Sequence, residues 1–176
     1  FRQSFSLSNP WQDENPSMGK AHSKCMDFDD DSLSEIVLSD NAGHIYAYQL
    51  NENQTEINLH WQINRDYSGP ADNFCLLETV EQSELLALYY IDSPLGGETE
   101  SAYWRLIKYA FINNGVQAID SLDFAGVNRS VGQENSIIAL NPAGNSQASL
   151  VLCLRPQLYI LDQDFNLLAA KLGANS

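Results

Sequence analysis

The chain is short of positive charge: nine Lys and Arg stand against 23 Asp and Glu, a formal net charge of −14. Binding to nucleic acid needs a basic stripe that displaces counterions from phosphates, and no such stripe exists here, so that class of partner is excluded. Anionic membrane surfaces are disfavoured for the same reason, and cations or basic protein surfaces are the better electrostatic match. No apolar run approaches the roughly 20 residues of a membrane-crossing helix. The sequence opens at Phe1 rather than Met, as expected of a processed or trimmed chain.

Catalytic signatures are equally scarce. There is no Gly-x-Ser-x-Gly elbow and no phosphate loop ending in Gly-Lys-Ser/Thr. His22, His44 and His60 share no helical i, i+4 spacing, and no cysteine stands at a zinc-finger interval. His60, beside Trp61, reads as a strand-edge residue. Cys25, Cys75 and Cys153 are too few and too scattered to define a disulfide framework, and they read as small core residues. Asn53-Gln54-Thr55 and Asn128-Arg129-Ser130 match the glycosylation sequon, which has meaning only on a secretory route.

What is present is material for a core. The 176 residues are 44% hydrophobic and 18% charged, which suits one globular domain spanning residues 1–176. Helical periodicity is nearly missing, and short β-rich runs between polar turns replace it. These runs recur in sets of four. The first set covers residues 24–26, 35–38, 44–50 and 58–63. The second covers 74–77, 85–91, 103–109 and 118–122, and the third 136–140, 150–154, 157–161 and 167–172. In each set the second run is almost unbroken apolar sequence, as expected of a strand covered on both faces. The third leads to a polar hairpin at 51–53, 113–115 or 162–164, where Asn, Asp and Gly tolerate the positive φ of tight turns.

Four antiparallel strands in about 40–50 residues match one propeller blade. The expected fold is therefore all-β and propeller-like, with three four-stranded antiparallel blades at roughly 22–64, 73–124 and 135–172. Residues 1–21 would supply an N-terminal strand, at 1–7, and a long irregular connection. Propellers usually close with about four to eight blades, so three imply further blades in a longer ring or completion by another chain. A single β-sandwich of about twelve strands is the alternative, because alternation alone does not separate the two. A loop at 93–98 and a link at 125–135 complete the organisation.

The densest chemical signal is Asp27-Phe28-Asp29-Asp30-Asp31-Ser32-Leu33-Ser34-Glu35. Carboxylates at positions 1, 3, 5 and 9 of a tight loop, with a main-chain carbonyl at position 7, are hard oxygen ligands suited to Ca²⁺. The loop is not an EF-hand, since Ser32 stands where that loop needs Gly and Leu38 where it needs a bidentate Glu. An Asp-rich turn capped only by side-chain-to-backbone hydrogen bonds is the competing reading.

The run from Asp27 through Asp29, Asp31 and Glu35 to Ile36-Val37-Leu38, followed by Gly43-His44-Ile45-Tyr46-Ala47-Tyr48, resembles an FG-GAP or integrin-α-type propeller repeat. The resemblance covers about one blade. It implies that Asp27, Asp29, Asp31, the Leu33 carbonyl and Glu35 surround a Ca²⁺ ion. Asp30 and Ser32 replace the family's glycines, and Glu35 its closing Asp. A second stretch, Leu158-Tyr159-Ile160-Leu161-Asp162, is similar to pyrroloquinoline-quinone-type propeller repeats, in a form that implies blade-locking aromatics rather than a quinone site.

The functional expectation is a non-enzymatic protein-binding or scaffolding module, stabilised by Ca²⁺ in its first blade and partnered by another protein or by further blades. The resemblance adds adhesion proteins and intracellular assemblies as settings, and a weak Ca²⁺ site favours an extracytoplasmic one. The rival expectation is a carboxylate-dependent glycosidase or lyase with an axial pocket, drawing its acid and base from Glu78, Glu81, Glu84, Asp120 and Asp123.

Overall fold

The computed structural model describes residues 23–40, 43–51, 56–64, 71–79, 82–91, 102–125, 135–140 and 149–171. Twelve strands fall into three four-stranded antiparallel sheets, each built from consecutive strands. The first holds β1 (Lys24–Met26), β2 (Glu35–Ser39), β3 (Ile45–Leu50) and β4 (Ile57–Ile63). The second holds β5 (Ala71–Glu78), β6 (Ser83–Ile91), β7 (Tyr103–Ile112) and β8 (Gly115–Ala125). The third holds β9 (Ser136–Leu140), β10 (Ser149–Leu154), β11 (Gln157–Asp162) and β12 (Leu167–Lys171). Each sheet is a meander with no strand exchanged between sheets. Three self-contained meanders are blades, and the two-sheet sandwich is set aside.

The middle sheet has a core on each face. On β6, Leu85, Ala87 and Tyr89 join Val37, Ile45 and Trp61 of the first sheet and Phe28 of its β1–β2 loop, while Leu86 and Leu88 join Leu150, Leu152 and Leu154 of the third. On β7, Ile107 and Tyr109 face the first core and Trp104 and Leu106 the second. Period-2 side-chain alternation turns these continuous apolar strands into a two-sided wall. The expectation of double coverage holds for β6, but β2 and β10 alternate buried with half-buried positions. Those strands belong to the outer sheets, which contact another described sheet on one face only.

The turns follow local chemistry. Asn113 and Asn114, with φ of 52° and 62°, form the β7–β8 hairpin. Positive φ at both central residues is the type I′ signature, and its twist matches that of the flanking strands. Asp40 and Asp162 build similar turns in different hairpins. The Asp40 carbonyl accepts from Gly43 N–H at 3.2 Å and its Oδ1 from His44 N–H at 2.9 Å. The Asp162 carbonyl accepts from Phe165 N–H at 3.2 Å and its Oδ1 from Asn166 N–H at 2.8 Å. Gly43 and Phe165 both have positive φ, 90° and 62°.

One irregularity recurs in every sheet. The pairing skips His60 between Leu59 and Trp61 on β4, Ile119 between Ala118 and Asp120 on β8, and Leu168 between Leu167 and Ala169 on β12. The fourth strand of each blade thus carries one extra residue, a β-bulge that re-aims a side chain. Of the cysteines, Cys75 is buried as expected, but Cys25 is exposed because it sits on the short β1; all three are free thiols. The expected strand at 1–7, the loop at 93–98, most of the 125–135 link and both sequons lie outside the described residues.

Candidate metal centre

The acidic loop joins β1 to β2 and is shaped by its own side chains. Asp27 Oδ2 accepts from Ser32 N–H at 3.1 Å, Asp29 Oδ1 from Asp31 N–H at 3.3 Å, and Asp31 Oδ1 from Leu33 N–H at 2.7 Å. These bonds turn the carboxylates inward by satisfying main-chain donors. Asp30 and Ser32 have φ of 60° and 71°. The loop therefore keeps the left-handed bends that glycine would supply, at some steric cost at Ser32.

Inside this curl the sequence-expected carboxylates converge. Asp27, Asp29, Asp31 and Glu35 each offer an oxygen, all within 4.8 Å of one another. Opposed oxygens around Ca²⁺ are separated by about twice its 2.3–2.6 Å bond length, so that spread fits the ion. Asp27 Oδ1 is buried and has no hydrogen-bond partner, as an oxygen reserved for a cation would be. Leu33 enters the loop through its N–H, while its side chain is exposed.

Glu35 is fully buried and begins β2, where its Oε2 accepts from Phe28 N–H at 2.9 Å. Burial first, then the charges of Asp29, Asp31 and Asp27, push its carboxyl up to about 7, against the pull of the Phe28 bond. Gln49 on β3 donates to both Asp31 Oδ2 at 2.9 Å and Glu35 Oε1 at 3.2 Å. That bond leads the causes holding the Asp31 carboxyl below the usual range. Gln49 is thus an orienting partner of two candidate ligands, the kind that sequence spacing does not reveal.

His60 lies on β4, an edge strand of the first sheet, as its place in the sequence implies, and from there it also reaches the acidic loop. Its Nε2 lies 2.6 Å from Asp29 Oδ2, and Asp29, Glu35 and His60 form a second convergent donor set. Nothing in the spacing of three histidines signalled this, because the partner lies 31 residues away and on another element.

The loop also reaches the second blade. Asp30 accepts from Ser83 N–H at 3.2 Å and from Ser83 Oγ at 2.8 Å. A cleft of about 440 Å³ opens there, lined by Asp27, Asp30, Leu76, Glu78, Thr79, Gln82 and Ser83. Of the other carboxylates weighed as acid or base, Glu84 lies 3.5 Å from Lys108 Nζ, Asp123 is paired in two hydrogen bonds with Arg105, and Asp120 accepts from Ser121 N–H. Glu81 lies outside the described residues.

By sequence, no family model and no curated protein matches the chain. By structure, it is similar to the crystallised β-propeller domain of Nup133 from Vanderwaltozyma polyspora, with a TM-score of 0.52 at 10% identity. The match covers 94% of this chain and 50% of that one, so the chain spans about half the length of the propeller it matches. At that identity the likeness establishes the fold: a set of propeller blades.

Proposed function

We propose that this propeller segment is a non-enzymatic protein-binding scaffold whose first blade is steadied by Ca²⁺ in an FG-GAP-like loop. The observation that carries the binding role is the outward face of the third sheet. Ile138, Val151 and Ile160 stand directly opposite one another on three adjacent strands, pointing away from the core. Ile138 is 51% exposed, Leu140 47% and Leu168 57%. Contiguous apolar surface of this kind is normally covered in the working assembly. Propeller blades stack face to face, so the occupant this face suits is another four-stranded apolar blade, from the rest of a ring or from a partner protein.

At working concentration the isolated chain should self-associate or bind an apolar dye through this face. Paired Ile138→Asp and Leu140→Asp substitutions should abolish both without lowering the melting temperature. A monomeric, dye-silent wild-type chain would sink the binding face. For the cation, Asp27, Asp29, Asp31 and Glu35 would hold the ion, and it would neutralise their mutual repulsion. Millimolar Ca²⁺ after EDTA should raise the melting temperature by linkage, and Asp29→Ala should remove the shift. An unchanged melt would leave the loop as a hydrogen-bonded turn.

A further inference from the structure

The three fourth-strand bulges are equivalent positions in a repeated architecture, and they do not carry equivalent residues. Ile119 on β8 and Leu168 on β12 are exposed aliphatic side chains at 43% and 57%. At that position β4 carries His60, in the blade whose β1–β2 loop gathers carboxylates. The bulge frees His60 from the strand's alternation and brings Nε2 to 2.6 Å from Asp29 Oδ2. Asp29 is itself held: its side chain is only 6% exposed and its Oδ1 accepts from Asp31 N–H. Glu35, fully buried, completes the set, with its oxygens oriented by Phe28 N–H and Gln49 Nε2.

We infer that Asp29, Glu35 and His60 form a binding site for a borderline divalent ion of the Mn²⁺-to-Zn²⁺ series, distinct in donor chemistry from the all-oxygen loop. An imidazole nitrogen beside two carboxylates favours such ions, whereas Ca²⁺ takes oxygen. Two features complete what a metal site needs. Gln49 and Phe28 N–H orient the Glu35 carboxylate, and His60, with its side chain 31% exposed, leaves a route in from solvent. The buried, unpartnered Asp27 Oδ1 beside the set is a further oxygen that lacks a donor. Because Asp29 and Glu35 belong to both sets, Ca²⁺ and the borderline ion compete for one place. The inference rests on the reading of this loop as a cation site and names a second class of cation that the same place takes.

Co²⁺ is the probe, since its visible absorption reports nitrogen ligation. The full chain is used with Cys25→Ser, which removes the exposed thiol. Co²⁺ should give ligand-field bands and raise the melting temperature, and Ca²⁺ should displace it. His60→Gln should weaken Co²⁺ binding at least tenfold while leaving the Ca²⁺-induced thermal shift intact, and Asp31→Asn should do the reverse. The cation-free melting temperature of each variant shows whether it folds. Unchanged Co²⁺ affinity and bands in His60→Gln would overturn the inference, and a surviving Ca²⁺ shift would then keep the Ca²⁺ reading. No response to either ion would overturn both. Co²⁺ binding through His60 without any Ca²⁺ response would keep the inference and retire the Ca²⁺ reading.

Discussion

Asp30 and Ser83 lock the first blade to the second: one carboxylate in a left-handed bend accepts both the N–H and the hydroxyl of a serine 53 residues away. The same loop that gathers the candidate ligands is therefore the clamp between two sheets.

That clamp can be measured. Ser83→Ala should cost about 1–2 kcal/mol in urea unfolding, the value of a charge-assisted hydrogen bond. Asp30→Ala should cost more, because a left-handed alanine adds roughly 1 kcal/mol of strain, whereas Asp30→Gly loses only the bonds. A double-mutant cycle should return a coupling of about 1 kcal/mol or more. Additive losses would show that the two residues do not act as a pair.

Glu35 should make cation-free stability fall as pH rises. Its carboxyl sits at about 7 in the folded chain against an ordinary value of 4.5, so between those values the native state holds a proton that the unfolded chain has lost. The contribution is fully present below about pH 4.5 and is lost as pH climbs through 7, on the order of 3 kcal/mol in all. Glu35→Gln should flatten that slope in chemical denaturation at pH 5 to 8. An equal slope in wild type and variant would place the titration elsewhere.

Lys108 should be the costliest single charge to remove. Its Nζ lies 3.5 Å from the half-buried-to-buried Glu84, donates to the Gln163 carbonyl, and sits 4.7 Å above the Phe165 ring. It thereby joins the second sheet to the β11–β12 turn, where Phe165 is held at positive φ. Lys108→Met should cost about 3 kcal/mol at pH 8, the usual penalty for stranding a buried partner. The loss should shrink at low pH, because burial already raises the Glu84 carboxyl and protonation relieves it. Glu84→Gln in the same chain should recover part of the loss. By contrast, Arg105→Ala, which removes an exposed pair with Asp123, should cost no more than about 1 kcal/mol.

The β7–β8 turn separates the roles of its Asn-Asn-Gly. The positive φ values belong to Asn113 and Asn114, and a Cβ on Gly115 would meet only the Ile112 carbonyl, at 3.9 Å. Asn114→Gly should hold or raise stability, Asn114→Val should lower it by about 1–2 kcal/mol, and Gly115→Ala should change little. A Gly115→Ala loss as large as that of Asn114→Val would contradict the assignment.

The turn also shows how far local sequence reaches. Alternation and turn residues were enough to mark twelve strands in three groups of four, and the acidic loop with all four of its converging carboxylates. Those features rest on side-chain period and on Asp and Asn bonding to neighbouring backbone, interactions spanning a few residues. Strand lengths were less legible: β8 runs from Gly115 to Ala125, beyond the apolar stretch that signals it, because pairing with β7 rather than hydrophobicity sets its ends.

The rest was decided in three dimensions. Which outer sheet leaves an apolar face open depends on what each sheet packs against. The raised Glu35 carboxyl depends on complete burial beside three other carboxylates. The approach of His60 to Asp29 depends on a one-residue bulge in β4, and the Asp30–Ser83 clamp on two sheets meeting face to face. The His60–Asp29 and Asp30–Ser83 contacts join residues 31 and 53 positions apart, and chain spacing encodes such meetings only through the fold that brings them together.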